Sequence, residues 1–302
     1  MITYNPKDWF TFIFKIHRSE TFRQLIPLMI GVCAYAFLVS YLELHFTEPE
    51  GAADITESIS VIYSILGFTL SLLLVFRTNS AYDRWWEGRK QWGLLTNVSR
   101  ALAAHLDALV ASENKKVKEV FANYIGLFAY TLQAHLRTEK VGEESIAKRF
   151  NVEAIGEENI QKIATTYHQP QEVYKQLVDY MHRQKKAGEF SVQDMYLFKT
   201  ELNTLIDVCG ACERIKSTPI PFSYSVFLKK FIFFYVMLFP MVYGINMSYF
   251  IIPVTVFVLY VLASIELIAE EIEDPFNGED NDLPTFEIAE NIKKSVVTVL
   301  LG

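Results

Sequence analysis

The run Ser58–Phe76, SISVIYSILGFTLSLLLVF, carries no charged residue and ends abruptly in RTNSAYDRWWEGRKQWGLLTNVSR. At 1.5 Å of rise per residue, such a run is just long enough to cross a hydrocarbon layer of about 30 Å as a helix. A helix facing lipid on every side would gain from Leu or Val where this one has Ser58, Ser60, Ser64, Thr69 and Ser71. Small hydroxyl residues suit a helix packed on other helices or facing water. Phe68, Leu72 and Phe76 recur at helical spacing and share one stripe. From periodicity alone that stripe reads either as ordinary packing or as a hydrophobic constriction lining a pore.

Composition supports membrane insertion. The 302 residues are 51% hydrophobic, with 23 Phe and 16 Tyr, which does not suit an ordinary soluble enzyme. A net charge of −7 argues against nucleic acid, which needs a basic face. The three cysteines make no disulfide framework: Cys33 lies in an apolar run, and Cys209 and Cys212 form a CxxC with no second Cys or His pair at zinc spacing. The start, MITYNPKDWFTFIFKIHRSETFR, scatters Lys, His and Arg through aromatic residues and does not read as a cleavable signal peptide. Residues 6–24 instead read as an amphipathic helix, either in the membrane interface or on a soluble domain.

The first spanning segment starts at Pro27 in PLMIGVCAYAFLVSYLELHF and is expected to end near Leu42. Glu43, Glu48, Glu50, Asp54 and Glu57 then form an acidic loop without Lys or Arg. Lys15, Arg18 and Arg23 precede this hairpin, and Arg77, Arg84, Arg89, Lys90 and Arg100 follow it. The positive-inside rule places the loop outside and both ends of the hairpin in the cytoplasm. Beyond Phe76, Trp92, Leu95, Val98, Leu102, Leu106 and Leu109 recur every three or four residues, so the second helix is predicted to continue past the membrane. The segment 112–116 breaks it. Another helix starts at Val117, and residues 138–218 read as polar helices. After Lys229 and Lys230 the apolar stretch FIFFYVMLFPMVYGINMSYFIIPVTVFVLYVLASIEL is predicted to be a hairpin turning at about Gly244–Ser248, which gives four spans. Glu266, at the edge of the last span, is expected to face protein or water, and Pro275 to end that helix. A short helix over Thr285–Gly302 is expected to pack along the cytoplasmic part.

Three blocks, FRTNSAYDRWWEGRKQWG (76–93), GACERIKSTPIPFSY (210–224) and AEEIEDPFNGEDNDLP (269–284), together resemble the bacterial branch of the bestrophin ion-channel family. The resemblance implies an all-α homopentamer in the cell's inner membrane, with both termini cytoplasmic. It divides the chain into an interfacial N-terminal helix (1–25), transmembrane helices 1 and 2 (26–77), a cytoplasmic helical domain (78–225), transmembrane helices 3 and 4 (226–268) and an acidic turn with the C-terminal segment (269–302). It places Phe68, Leu72 and Phe76 at the pore neck and Gln193 at a cytoplasmic aperture, where relatives usually carry a small apolar residue. It implies lipid and permeating monovalent ions as partners, with chloride preferred; a sodium-selective channel and a non-conducting membrane scaffold are the alternatives.

In animal bestrophins calcium binds an acidic cluster after the last membrane helix. Here Glu279, Asp280, Asn281 and Asp282 offer oxygen ligands, but Leu283 and Pro284 interrupt the run, so a solvated acidic turn is preferred over a calcium site and no cofactor is required. An enzyme is not expected. His105 and His135 fall on neighbouring predicted helices, and Glu270, Glu271 and Glu273 cluster in sequence, but the Glu-x-x-His spacing of a carboxylate-bridged metal site is absent, as are a nucleophile elbow, phosphate loop and zinc signature.

Overall fold

A computed structural model describes residues 20–46, 49–111, 113–279 and 281–302. The expected interfacial helix falls largely outside the described residues, which also exclude Asp280. Among the described residues every regular element is a helix. They are α1 (Glu20–Phe46), α2 (Pro49–Leu109), α3 (Lys115–Leu136), α4 (Glu143–Arg149), α5 (Val152–Ile155), α6 (Glu157–Thr165), α7 (Gln169–Lys186), α8 (Val192–Ser217), α9 (Phe222–Met247), α10 (Ile251–Glu273) and α11 (Thr285–Leu301), with a 3-10 turn at Ser248–Phe250. Three stretches are long and apolar enough to cross a membrane: Thr21–Phe46, Ile59–Leu109 and Phe222–Glu273, the last made of α9 and α10.

By packing, the chain forms two units, one comprising the described residues through Asp83 with Pro219–Glu273, the other Arg84–Thr218 with Asp274–Gly302. In the first, α1, α9 and α10 pack on one another, and Leu70 and Leu74 of α2 join Val32, Leu228, Ile232, Val236 and Leu259 in its core. Polar tips tie the helices together: the Tyr63 hydroxyl donates to the Tyr235 carbonyl at 2.9 Å, Tyr35 to that of Met237 at 3.0 Å, and Tyr224 to that of Leu73 at 3.1 Å. The Tyr63 and Tyr235 rings stack with centroids 4.2 Å apart. Gly67 permits this approach, because a Cβ there would overlap the Tyr235 hydroxyl.

One expected boundary shifts and another is narrowed. The acidic loop shrinks, because α1 runs on through Phe46 and α2 already begins at Pro49; proline suits the first turn of a helix, whose N–H groups have no intrahelical acceptor. The turn after α9 falls at the far end of the predicted Gly244–Ser248 window. The chain passes Gly244 as a helix and stops where Ser248 adopts φ +48°. Gly244 serves a close approach instead, since a Cβ there would overlap the Glu43 carboxylate.

In the second unit, α3 is the central element, with α5, α7, α8 and α11 packed on it. Its residues Phe121, Tyr124, Leu127, Phe128 and Leu132 share a core with Trp92, Leu95, Leu102 and Leu106 of α2 and with Ile292 and Val296 of α11. The predicted continuation of α2 and the short terminal helix are thus both present. Each large side chain buried this way is worth about 1.5–3 kcal/mol relative to exposure.

Candidate functional site

Along the apolar part of α2, Tyr63, Leu70, Leu74, Arg77 and Ala81 are buried and form one face. Phe68, Leu72 and Phe76 are 72%, 45% and 56% exposed. At about 100° per residue, Leu72 lies roughly 200° from both Leu70 and Leu74, so this stripe faces away from the helix's own core. Among the hydroxyl residues of the run, Ser64 donates to the carbonyl of Ser60 at 2.8 Å, Thr69 to Ile65 at 2.9 Å and Ser71 to Gly67 at 2.9 Å. These side chains satisfy themselves on their own helix and place no demand on a neighbour.

Directly after Phe76 the character reverses. The Arg77 side chain is 1% exposed, with Nε 3.4 Å from Glu266 Oε2 and Nη2 2.8 Å from Glu273 Oε2. Glu273 also accepts the Ile220 amide at 2.6 Å. Arg77 Nη1 has no hydrogen-bond partner among the described residues. Glu266, expected to face protein or water, faces protein. A buried guanidinium held by two carboxylates from the end of α10 fixes the rotation of α2 at the foot of the stripe.

Gln193 is exposed in the first turn of α8. A capping box sets that turn: the Asp194 amide donates to Ser191 Oγ at 3.1 Å, and the Ser191 amide to Asp194 Oδ2 at 2.7 Å. These bonds to the Asp194 carboxylate hold it below the usual aspartate range. Beside Gln193, Val192, Tyr196 and Leu197 are exposed apolar residues.

The acidic turn is less solvated than its sequence implies. Asp282 is buried, and its Oδ2 accepts the amides of Gly278 at 2.6 Å and Glu279 at 2.9 Å. Burial pushes its carboxyl up from the usual aspartate range, against those two bonds. The Arg137 guanidinium packs against Gly278, and the Trp85 indole donates to the Asn281 carbonyl at 3.2 Å. Glu279 and Asn281 lie within this stitched turn. Calcium needs five or more convergent oxygens, and the turn brings no three carboxylates together among the described residues.

Cys209 and Cys212 are buried free thiols. Burial pushes both up, Cys212 to about 12, which leaves them protonated core residues. The described residues do bring together one cluster that sequence spacing hides: His135, His168 and Glu213 offer donor atoms within 4.8 Å of one another.

The Bacterial/Fungal Bestrophin protein family model matches residues 1–298. The chain is a bestrophin. Relatives include a voltage-dependent anion channel-forming protein of Nostoc sp., 32% identical over 299 residues, covering 98% of this chain and 92% of the relative. The voltage-dependent anion channel-forming protein YneE of Escherichia coli is 29% identical, over 76% of this chain and 73% of its own length. A crystal structure of a variant bacterial bestrophin homologue from Klebsiella pneumoniae superposes with a TM-score of 0.80 at 22% identity, covering 92% of this chain and all of that one. The all-helical fold and the membrane-type helices of this bestrophin thus have a solved counterpart, and its family is one of ion channels, not enzymes.

Proposed function

We propose that this bestrophin is a homopentameric channel for monovalent ions, chloride in preference, with Phe68, Leu72 and Phe76 as successive rings around a shared axis. One observation carries the reading: the stripe is exposed on the face of α2 opposite its own core. A greasy stripe between serines suits a narrow neck that gates by dewetting, because three apolar rings disfavour a continuous water column and a slight widening restores it. In this arrangement the four long apolar helices span the inner membrane and both termini lie in the cytoplasm. Gln193, flanked by the exposed Val192, Tyr196 and Leu197, forms a lower, polar aperture whose amides hydrogen-bond passing ions or water. Calcium has no part in opening.

The names of the relatives favour an anion. The acidic residues between Glu43 and Glu57 favour the sodium reading, since they concentrate cations at the outer mouth. Purified protein in planar bilayers under a sodium chloride gradient separates the readings. A reversal potential displaced toward the chloride equilibrium value, unchanged by chelator or by Asp280→Ala, is expected. Displacement toward the sodium value overturns the anion preference, and no current under any gradient overturns the channel in favour of a scaffold.

A further inference from the structure

We infer that His135, His168 and Glu213 form a binding site for a divalent transition cation of the zinc class, distinct from the pore stripe and from the acidic turn. The three side chains come from three separately anchored places: the last turn of α3, the residue before α7, and α8. His135 Nε2 lies 2.7 Å and His168 Nε2 2.6 Å from the same carboxylate oxygen, Glu213 Oε1. The two imidazoles lie 4.5 Å apart with their planes inclined by 30°. All three groups are half-buried, so a fourth position stays open to water. Two imidazoles, one carboxylate and an open position make up a known zinc donor set, in which bonds of about 2.0–2.2 Å put neighbouring donors about 3.3 Å apart. The two spacings to Glu213 need to open by about 0.6–0.7 Å, within reach of a small rotation of its side chain, while the two imidazole donors already lie within 4.8 Å of each other.

The surroundings hold the donors in place. Lys216, one turn beyond Glu213, donates to the Leu136 carbonyl and ties the end of α3 to α8. Arg137, two residues beyond His135, packs on Gly278 of the acidic turn. A metal at this point therefore clamps α3, α7 and α8 together and steadies the residue that faces the turn.

One hydrogen bond predicts a side effect. His168 Nδ1 accepts the Gln171 amide at 3.2 Å and so caps α7. An imidazole bound to metal through Nε2 ordinarily carries its proton on Nδ1, where it donates. Metal binding thus releases the Gln171 amide.

The test is zinc chloride titrated into the purified full-length protein against a chelating chromophore, with hydrogen exchange at the Gln171 amide as a second readout. One zinc per chain and faster exchange at Gln171 are expected. His135→Ala and Glu213→Gln should each weaken binding more than about 100-fold, beyond the cost of losing an outer-sphere partner. His168→Asn keeps a good helix cap while removing the imidazole, and should bind as poorly while remaining folded by circular dichroism. Wild type that takes up no zinc, or zinc bound equally by wild type and His168→Asn, overturns the site.

Discussion

The two units of this bestrophin solve opposite problems with the same element. In the unit of α1, α9, α10 and the first part of α2, large apolar residues such as Phe37, Phe68 and Phe257 lie outside and the charges Arg77 and Glu266 lie inside. In the unit built on α3, Trp92, Phe121, Phe128 and Phe198 lie inside and ion pairs such as Lys148–Glu144 and Lys162–Glu158 lie outside. Where lipid is the solvent, apolar burial between helices gives little, and polar ties and close contacts must hold the bundle. Where water is the solvent, the apolar core does that work.

The contrast predicts where single substitutions hurt. Arg77→Ala leaves Glu266 and Glu273 without their buried counter-charge and should cost ~3–5 kcal/mol, read as a lower detergent concentration for unfolding of the reconstituted protein. Replacing Arg77 and Glu266 together with Met, and Glu273 with Gln, should recover most of it. An Arg77→Ala protein as stable as wild type would break the contrast, since it would mean that the interior charge ties nothing.

A smaller effect is expected at Asp282, outside the membrane. Its folded carboxyl is raised above the ordinary value of 3.8, with burial the chief cause. The folded state therefore holds the proton more tightly than the unfolded one. This stabilisation is fully present below pH 3.8 and is lost as pH rises through the raised folded value. Asp282→Asn should flatten the pH dependence of the melting temperature in that window. An unchanged profile would show that the turn is solvated after all.

Much of this was legible in the sequence, for physical reasons that differ by place. Trp92, Leu95, Leu102 and Leu106 revealed the continuation of α2 because water imposes helical periodicity on the buried face. Glu266 could be read as facing protein or water because an ionisable group at a span's edge rarely faces lipid, and the structure selects protein. The turn after α9 was legible to within a few residues, but Gly244 itself lies inside α9 and serves a close approach, since glycine marks close approach as well as turns. The burial of Asp282 was hidden because a run of acidic residues reads as solvated whatever the backbone around it does. The cluster of His135, His168 and Glu213 is invisible in the sequence because its members sit on three separate elements and share no spacing; Glu213 stands within a family block, and His105, on the helix neighbouring that of His135, lies against Glu201 instead.

The central claim is that the stripe on α2 faces an aqueous axis. It is tested most directly by Leu72→Cys in a Cys33→Ala background, where Cys209 and Cys212 stay buried and protonated. A water-soluble methanethiosulfonate reagent added to bilayers carrying an active current should modify the new thiol and block most of that current. Full current with the thiol unmodified, or modified without effect, would place the stripe away from the pore.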